Sequence, residues 1–231
     1  MIKFLQKHLQ CIAKPKRYLV AARDAVSSQK DTYAQNGEDR FVFEALRGYD
    51  LTTGMYVDVG ANQPTQISNT YLFYRTGLRG VVIEPNRELI PLFLRFRPRD
   101  VAIPVGCADR SALLEFKHTA SSDLSTFDPT VSGGVMKSEF LPVLPLDEIL
   151  VSINFTWIYY LSIDAEGFDL LVLKGAEKSL TKTFFVSVEF KGNRAEIIAF
   201  LRARDFVLVH ETRENLIFRN SKDFTNFEKR R

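Results

Sequence analysis

The sequence predicts an α/β fold with a mostly parallel, doubly wound sheet and a closing antiparallel hairpin. Short apolar strands alternate with helical segments along the chain, which is the pattern of a parallel sheet covered by helices. The strands of the second half are apolar throughout, as buried parallel strands are. The last two β segments, 206–210 and 216–218, lie close together in sequence and predict the hairpin.

In the first half, the predicted helices are 39–46, 66–75 and 88–96, and the predicted strands are 54–59, 80–84, 102–105 and 112–117. Pro98 ends the third helix. A polar segment rich in Ser, Thr, Asp and Gly then extends to about Ser138 and predicts a long surface loop. The segment 141–146 contains two prolines, which cannot donate to a central ladder, so it predicts an edge strand.

In the second half, the predicted strands are 157–163 and 184–188, and the predicted helices are 169–180 and 194–204. With the hairpin, these segments complete one domain, residues 31–231. The 231 residues are 45% hydrophobic and 26% charged, which is ordinary for a globular domain. Cys11 and Cys107 lie in unlike contexts, so no structural disulfide is expected.

Residues 1–30 form a basic leader that is expected to be helical. The leader has seven basic residues and one acidic residue, a net charge of +6, whereas the rest of the chain carries −3. Apolar residues at helical spacing permit weak contact with an anionic membrane surface, and packing on the domain is the favoured alternative. No apolar run approaches the roughly 20 residues of a membrane span, and no signal-peptide pattern begins the chain. We therefore expect a cytoplasmic protein.

The most informative stretch is 55–62, where an apolar strand leads into Asp58 and then directly into a turn at Gly60. This arrangement places a carboxylate and bare backbone at the carboxyl edge of the sheet, where open α/β folds bind ligands. The next strand ends in Glu84, at the distance expected of an acid that binds ribose hydroxyls. Nucleoside binding is the first hypothesis.

The turn departs from the dinucleotide fingerprint, because Asn62 and Pro64 follow Gly60 where further glycines are needed to approach a pyrophosphate. Asp58 would also repel a phosphate and attract a cationic cofactor such as S-adenosylmethionine. A nicotinamide-dependent oxidoreductase is the alternative enzyme, and a nucleoside-binding module without catalysis is the alternative outside enzymes.

Five motifs together resemble the FkbM-type family of S-adenosylmethionine-dependent methyltransferases. They are Gln35-Asn36-Gly37-Glu38-Asp39, Asp58-Val59-Gly60-Ala61-Asn62-Gln63-Pro64, Ser68-Asn69-Thr70, Ile83-Glu84-Pro85 and Leu161-Ser162-Ile163-Asp164-Ala165-Glu166-Gly167-Phe168-Asp169. The resemblance covers about residues 33–218 and keeps the family's order. It implies a Rossmann-like class I methyltransferase fold and O-methylation of a hydroxyl, often on a sugar or a polyketide.

Several loops are expected to share the cofactor. Asp58, Gly60 and Asn62 serve the methionine end, and Glu84 serves the ribose. The residues expected at the adenine ring follow the third strand and are Cys107, Ala108 and Asp109. The resemblance places Gln35 and Glu38 over the methionine moiety or the acceptor.

Three carboxylates, Asp164, Glu166 and Glu189, end the next two strands and are expected at the same sheet edge. A carboxylate can take the proton of an attacking hydroxyl. The resemblance favours Asp164 as this base, with Glu166 and Glu189 orienting the acceptor and Lys191 balancing their charge. The same oxygens could bind Mg²⁺ or Ca²⁺, which is the less favoured alternative. Helix capping by Asp164 and Glu166 is compatible with either role.

The acceptor is expected to be a sugar, a glycan or another small molecule with a hydroxyl. The loop serines Ser121, Ser122 and Ser125 could line its binding site. His118 and His210 are weaker candidates for a base, because lone histidines outside a motif are more often structural. Nucleic acid is not expected, since no basic and aromatic interleaving recurs in the domain. The sequence does not indicate the oligomeric state.

Overall fold

The structure is a computed structural model that describes residues 21–23, 30–155 and 157–222. Of the predicted leader helix, only residues 21–23 are described as helical, and Cys11 with most of the leader lies outside the described residues. Among the described residues, no helix has both the length and the apolar character that crossing a bilayer requires.

The main sheet has seven strands in the order β3-β2-β1-β7-β8-β10-β9. These strands are β1 (Gly54–Val59), β2 (Gly80–Ile83), β3 (Val101–Ile103), β7 (Trp157–Ile163), β8 (Thr183–Glu189), β9 (Phe206–Glu211) and β10 (Asn215–Asn220). Neighbouring strands are parallel from β3 to β8, and β10 lies antiparallel between β8 and β9. The doubly wound sheet and the closing hairpin are therefore confirmed.

A second, three-stranded sheet in the order β4-β6-β5 lies outside the main sheet. Its strands are β4 (Gly106–Cys107), β5 (Ala112–Thr119) and β6 (Val135–Leu144). The predicted edge strand 141–146 is wrong, because most of it belongs to the central strand β6. The strand β4 has only two residues, and they pair with Val143 and Leu144 of β6. No residue of β4 therefore lies opposite Pro142, so a proline is tolerated at this position of β6.

Seven α-helices flank the strands within residues 30–155 and 157–222. They are α1 (Glu38–Ala45), α2 (Tyr71–Arg75), α3 (Ile90–Phe96), α4 (Leu146–Leu150), α5 (Asp169–Lys174), α6 (Glu177–Leu180) and α7 (Arg194–Arg202). The predicted helix 169–180 is divided at Gly175, where a Cβ would lie 2.1 Å from the carbonyl oxygen of Ala108. The predicted helix 66–75 begins only at Tyr71, since Ile67 has a left-handed backbone with φ of 46°.

The sheet separates two buried clusters. Alternate β1 residues Met55, Val57 and Val59 join an aliphatic core with α4, α5 and α7, whereas Tyr56 joins an aromatic core with α1 and α2. This alternation follows from the two-residue period of a strand. The main sheet is thus held from both faces, and the carboxyl ends of its parallel strands lie at one edge.

Candidate active site

One cleft of about 380 Å³ opens at the carboxyl edge of β1, β2, β7 and β8. The strand order reverses between β1 and β7, which is the switch point where open α/β sheets bind ligands. The predicted residues that line the cleft are Gln35, Asp58, Gly60, Asn62, Glu84, Cys107, Ser122, Ser125, Asp164, Glu166, Glu189 and Lys191. Strand ends that are distant in sequence thus contribute to a single site.

The turn that follows β1 contains Gly60 and Asn62, and we call it the cofactor turn. At Gly60 this turn lies directly against the end of β7. The φ of Gly60 is 77°, and a Cβ would lie 1.8 Å from the carbonyl oxygen of Asp164. The backbone N–H of Gly60 donates to Ile83 at 2.9 Å, and that of Asp164 donates to Val59 at 2.9 Å. Only glycine fits this position, so the turn brings bare backbone to the cleft.

Glu84 organises the loop beside the cofactor turn. Its Oε2 accepts a hydrogen bond from the backbone N–H of Asn62 at 2.7 Å, and its Oε1 accepts one from Asn86 at 2.7 Å. The residue is only 5% exposed, yet it lines the cleft. Each carboxylate oxygen can accept a further bond, so the position suits the two hydroxyls of a ribose.

Asp58 is buried at the floor of the cleft and is held by a polar network. Thr70 donates its hydroxyl to Asp58 Oδ2 at 2.6 Å, and the buried Arg97 donates to Thr70 Oγ1 at 2.9 Å. Burial raises the pKa of Asp58, and the charge of Arg97 opposes that rise. Arg97 also pairs with Asp100 at 2.6 Å, which in turn accepts the hydroxyl of Tyr56 at 2.6 Å.

Asp164, Glu166 and Glu189 converge beside the turn that contains Gly60. One carboxylate oxygen of each lies within 4.8 Å of the others. Lys191 forms an ion pair with Glu166, and its ammonium lies 3.6 Å from Glu189 Oε2. Lys191 therefore offsets part of the negative charge of this cluster.

This crowding changes the acidity of the cluster. Burial, then the charges of Glu189 and Glu166, raise the pKa of Asp164 well above its ordinary range. Burial, then the charge of Glu166, raise the pKa of Glu189 to about 7, against the opposing charge of Lys191. A carboxylate with a pKa near neutrality, as Glu189 has, is suited to exchange protons with a substrate at physiological pH.

The turn that carries Asp164 and Glu166 is held in place by the side chain of Asp169. Its buried carboxylate accepts the backbone N–H groups of Ala165 at 2.8 Å and Gly167 at 3.1 Å. Glu166 has a left-handed backbone with φ of 49°. A non-glycine residue in this region is uncommon and is often found at functional sites, so the turn holds Glu166 in the lining of the cleft.

The long loop predicted after β5 spans residues 120–134 and crosses the mouth of the cleft. Ser122 donates to Asn62 Oδ1 at 2.8 Å, and Thr126 donates to the carbonyl oxygen of Glu166 at 2.7 Å. The base of the loop is held by Lys117, whose ammonium donates to the carbonyl oxygens of Asp128, Pro129 and Val131. We call residues 122–126 the strap, because they connect the cofactor turn to the turn that carries Asp164 and Glu166.

Three residues predicted to bind the cofactor, Glu38, Ala108 and Asp109, lie outside the cleft lining. Glu38 is fully buried, where its carboxylate accepts Asn36 at 3.0 Å and Asn215 at 2.9 Å and so joins α1 to the hairpin. Ala108 is buried against α5 and β6, and Asp109 is exposed. The chain bends into the second sheet at β4, so Cys107 is the only one of the three predicted adenine contacts that lines the cleft.

The remaining candidates also lie elsewhere. His118 pairs with Glu139 at 2.8 Å on the second sheet, and His210 stacks on Phe41 with ring centroids 4.4 Å apart. Ser121 precedes the strap and is exposed. None of these three residues lines the cleft.

The cleft-lining residues that the sequence analysis missed include Ile67, Leu124, Phe190, Glu214 and Asn215. Glu214 and Asn215 could have been predicted from the topology of the sheet. Because β10 is antiparallel, its first residue lies at the edge where the parallel strands end, and Asn215 pairs with Glu189. Gln35 donates to Glu214 at 2.8 Å across this part of the rim.

Comparison with known protein families identifies the class of protein that this fold and cleft define. The methyltransferase FkbM domain matches residues 58–208. The chain therefore belongs to the FkbM methyltransferase family, its cofactor is S-adenosylmethionine, and its fold is the Rossmann-like class I methyltransferase fold. Family membership confirms the resemblance and favours methylation over the nicotinamide-dependent alternative.

Two solved structures are similar to the chain at low sequence identity. One is a protein from Pyrococcus horikoshii assigned as an RNA methyltransferase, with a TM-score of 0.43 and 11% identity. The match covers 90% of the present chain and 98% of the Pyrococcus chain. The 1,6-didemethyltoxoflavin-N1-methyltransferase of Burkholderia thailandensis, solved with its substrate and S-adenosylhomocysteine, has a TM-score of 0.41 and 14% identity, covering 91% and 92%. No curated protein matches the sequence significantly.

Proposed function

We propose that the protein is an O-methyltransferase that methylates a hydroxyl of a sugar, a glycan or another small molecule, with Asp164 as the general base. The observation that carries this proposal is the convergence of Asp164, Glu166 and Glu189 within 4.8 Å, beside the cofactor turn. S-adenosylmethionine supplies the electrophilic methyl group when bound. The remaining tasks belong to side chains of this protein.

The cleft fits the cofactor in volume and in chemistry. A volume of about 380 Å³ lies within the range of small-molecule pockets, roughly 300–1,000 Å³. Glu84 would accept the ribose hydroxyls, and Asp58 with the turn at Gly60 and Asn62 would hold the methionine end. Cys107 would contact the adenine as a neutral thiol, because burial raises its pKa well above the usual range.

Asp164 would accept the hydroxyl proton as the oxygen attacks. The amide of its turn is bonded to Val59, which keeps the carboxylate beside the cofactor turn. Glu189 Oε2 is buried and has no hydrogen-bond donor among the described residues, although Lys191 lies 3.6 Å away. A buried acceptor of this kind is costly unless a ligand supplies the donor, and a second acceptor hydroxyl can do so.

The charge of the cleft supports a neutral acceptor over a nucleic acid. Four carboxylates line the acceptor side, Asp164, Glu166, Glu189 and Glu214, and Lys191 is the cation among them. Phosphate contacts dominate binding to nucleic acids, and this surface would repel them. Lys191 also forms an ion pair with Glu166, one of the three carboxylates that a divalent metal would need, so the proposal assigns no step to a metal.

The test is Asp164→Asn, assayed by mass spectrometry against a panel of monosaccharides and glycans. We expect the rate of methyl transfer to fall about 10²- to 10⁴-fold, as for loss of a general base, with the affinity for S-adenosylhomocysteine nearly unchanged. The control is Asp205→Asn, an exposed carboxylate whose left-handed backbone suits asparagine. Methylation by Asp164→Asn at the wild-type rate would refute the assignment.

Two further measurements separate the alternatives. Calorimetry should show binding of S-adenosylhomocysteine and none of NAD. A chelator should leave the wild-type rate unchanged. If the chelator abolishes methylation and added Mg²⁺ restores it, the three carboxylates are metal ligands and the proposed role of Asp164 is wrong.

A further inference from the structure

Ile67 is an exposed aliphatic residue with an unfavourable backbone conformation at the mouth of the cleft. Its φ is 46°, in the left-handed region, and its side chain is 56% exposed. A β-branched residue in this region is a genuine outlier, whereas glycine or asparagine adopts it readily. The position would suit Gly or Asn better if only folding mattered, so the side chain calls for a functional explanation.

The residues on both sides of Ile67 are bonded to the buried guanidinium of Arg97, through the backbone of Pro64 and the side chain of Ser68. Nη1 of Arg97 donates to the carbonyl oxygen of Pro64 at 3.4 Å and to Ser68 Oγ at 3.3 Å. The backbone N–H of Ser68 also donates to Tyr33 at 3.1 Å. These bonds impose the conformation of residue 67 and keep its side chain in the lining of the cleft.

Leu124 is a second exposed aliphatic residue that lines the same cleft. It is 55% exposed and belongs to the strap. The bond from Ser122 to Asn62 fixes this part of the strap next to the cofactor turn. The cleft thus combines the acidic cluster of Asp164, Glu166 and Glu189 with an aliphatic rim, which we define as Ile67 and Leu124.

We propose that the acceptor is amphiphilic, with a neutral aliphatic group that packs on Ile67 and Leu124 while its hydroxyl reaches the carboxylates. This inference rests on the proposed function, since it concerns the acceptor of the same cleft. A polar acceptor such as a bare sugar would leave both side chains in water. An alkyl group would cover them and gain affinity with each methylene, up to about fourfold per methylene when burial is complete.

The probes are butan-1-ol, pentan-1-ol and hexan-1-ol, added to protein saturated with S-adenosylhomocysteine. Their dissociation constants are measured from shifts of the Ile and Leu methyl NMR signals. In the wild type, we expect saturable shifts of the Ile67 and Leu124 signals and a twofold to fourfold gain in affinity per methylene, within the limit set by full burial. Absence of binding, or affinity independent of chain length, would overturn the proposal.

Variants distinguish this rim from an unspecific apolar surface. Ile67→Asn should abolish the dependence on chain length and should not lower Tm, because asparagine tolerates the left-handed region. Ile67→Leu should retain the dependence. Val151→Asn, at a valine that is 80% exposed and outside the cleft lining, should leave it unchanged.

An unchanged dependence in Ile67→Asn, or its loss in Val151→Asn, would refute the role of Ile67. Failure of the proposed function has a different signature, because S-adenosylhomocysteine would then not bind, or Asp164→Asn would keep the wild-type rate. The two proposals can therefore fail separately.

Discussion

Replacement of Glu84 by glutamine tests the cofactor site most directly. The carboxylate accepts one backbone N–H at each oxygen, from Asn62 and Asn86, both at 2.7 Å. Glutamine has a single acceptor oxygen, so one of these N–H groups would face an NH₂ group. The ribose would also lose a hydrogen bond to a charged acceptor. Such a bond contributes about 1.5–3 kcal/mol, which corresponds to an affinity for S-adenosylhomocysteine about 10- to 150-fold weaker.

The same substitution should destabilise the fold by about 1–3 kcal/mol, the cost of one unsatisfied buried donor. Calorimetry with S-adenosylhomocysteine measures the affinity, and urea unfolding without ligand measures the free energy of unfolding. The control is Glu88→Gln, an exposed carboxylate near Glu84 that does not line the cleft. Wild-type affinity in a folded Glu84→Gln protein would refute the assignment of Glu84 to the ribose.

Three further predictions address the turn, the buried network and the acidic cluster. Gly60→Ala should abolish binding of S-adenosylhomocysteine in calorimetry because its Cβ would overlap Asp164, whereas Gly48→Ala, with φ of 90° and nothing within 4 Å, should bind it normally. Arg97→Met should lower the free energy of unfolding in urea by about 3–5 kcal/mol, because it leaves buried carboxylates unpaired; a loss below about 1 kcal/mol, as for an exposed charge, would contradict this. The rate of methyl transfer should rise with pH as the base Asp164 loses its proton, and Glu189→Gln should move this rise to lower pH because it removes a charge that raises the pKa of Asp164. A rise at unchanged pH would contradict the coupling.

The raised pKa of Glu189 also has a consequence for stability. Its ordinary value of 4.5 is raised to about 7 in the folded protein. The folded state therefore binds the proton more tightly than the unfolded chain does, and this contribution to stability is fully present below pH 4.5. It is lost as the pH rises towards 7. Deprotonation of the acidic cluster, which the proposed base mechanism requires, thus weakens the fold, as expected of a site selected for chemistry.

The sequence alone was sufficient to predict the strands of the main sheet and the edge of the sheet at which the cleft lies. Apolar runs bounded by turns are local signals, and the strands that end in Asp58, Glu84, Asp164 and Glu189 were predicted from them. Because parallel strands direct their carboxyl ends to one edge, the convergence of these acids followed from the alternation of strands and helices. The matching family confirmed the class of enzyme.

Other features depended on contacts between residues that are distant in sequence. The short strand β4 pairs with β6 and directs Asp109 away from the cleft, and no local pattern marks a two-residue strand. Glu38 fits the family motif, yet its carboxylate is used to bind Asn215, at the other end of the domain. Ile67 was predicted in a helix, because propensity cannot show that a buried arginine holds its neighbours in another conformation. The hydrophobic periodicity of the sequence indicates which residues are buried. The hydrogen-bond partners of buried polar groups, in contrast, depend on how the whole chain packs.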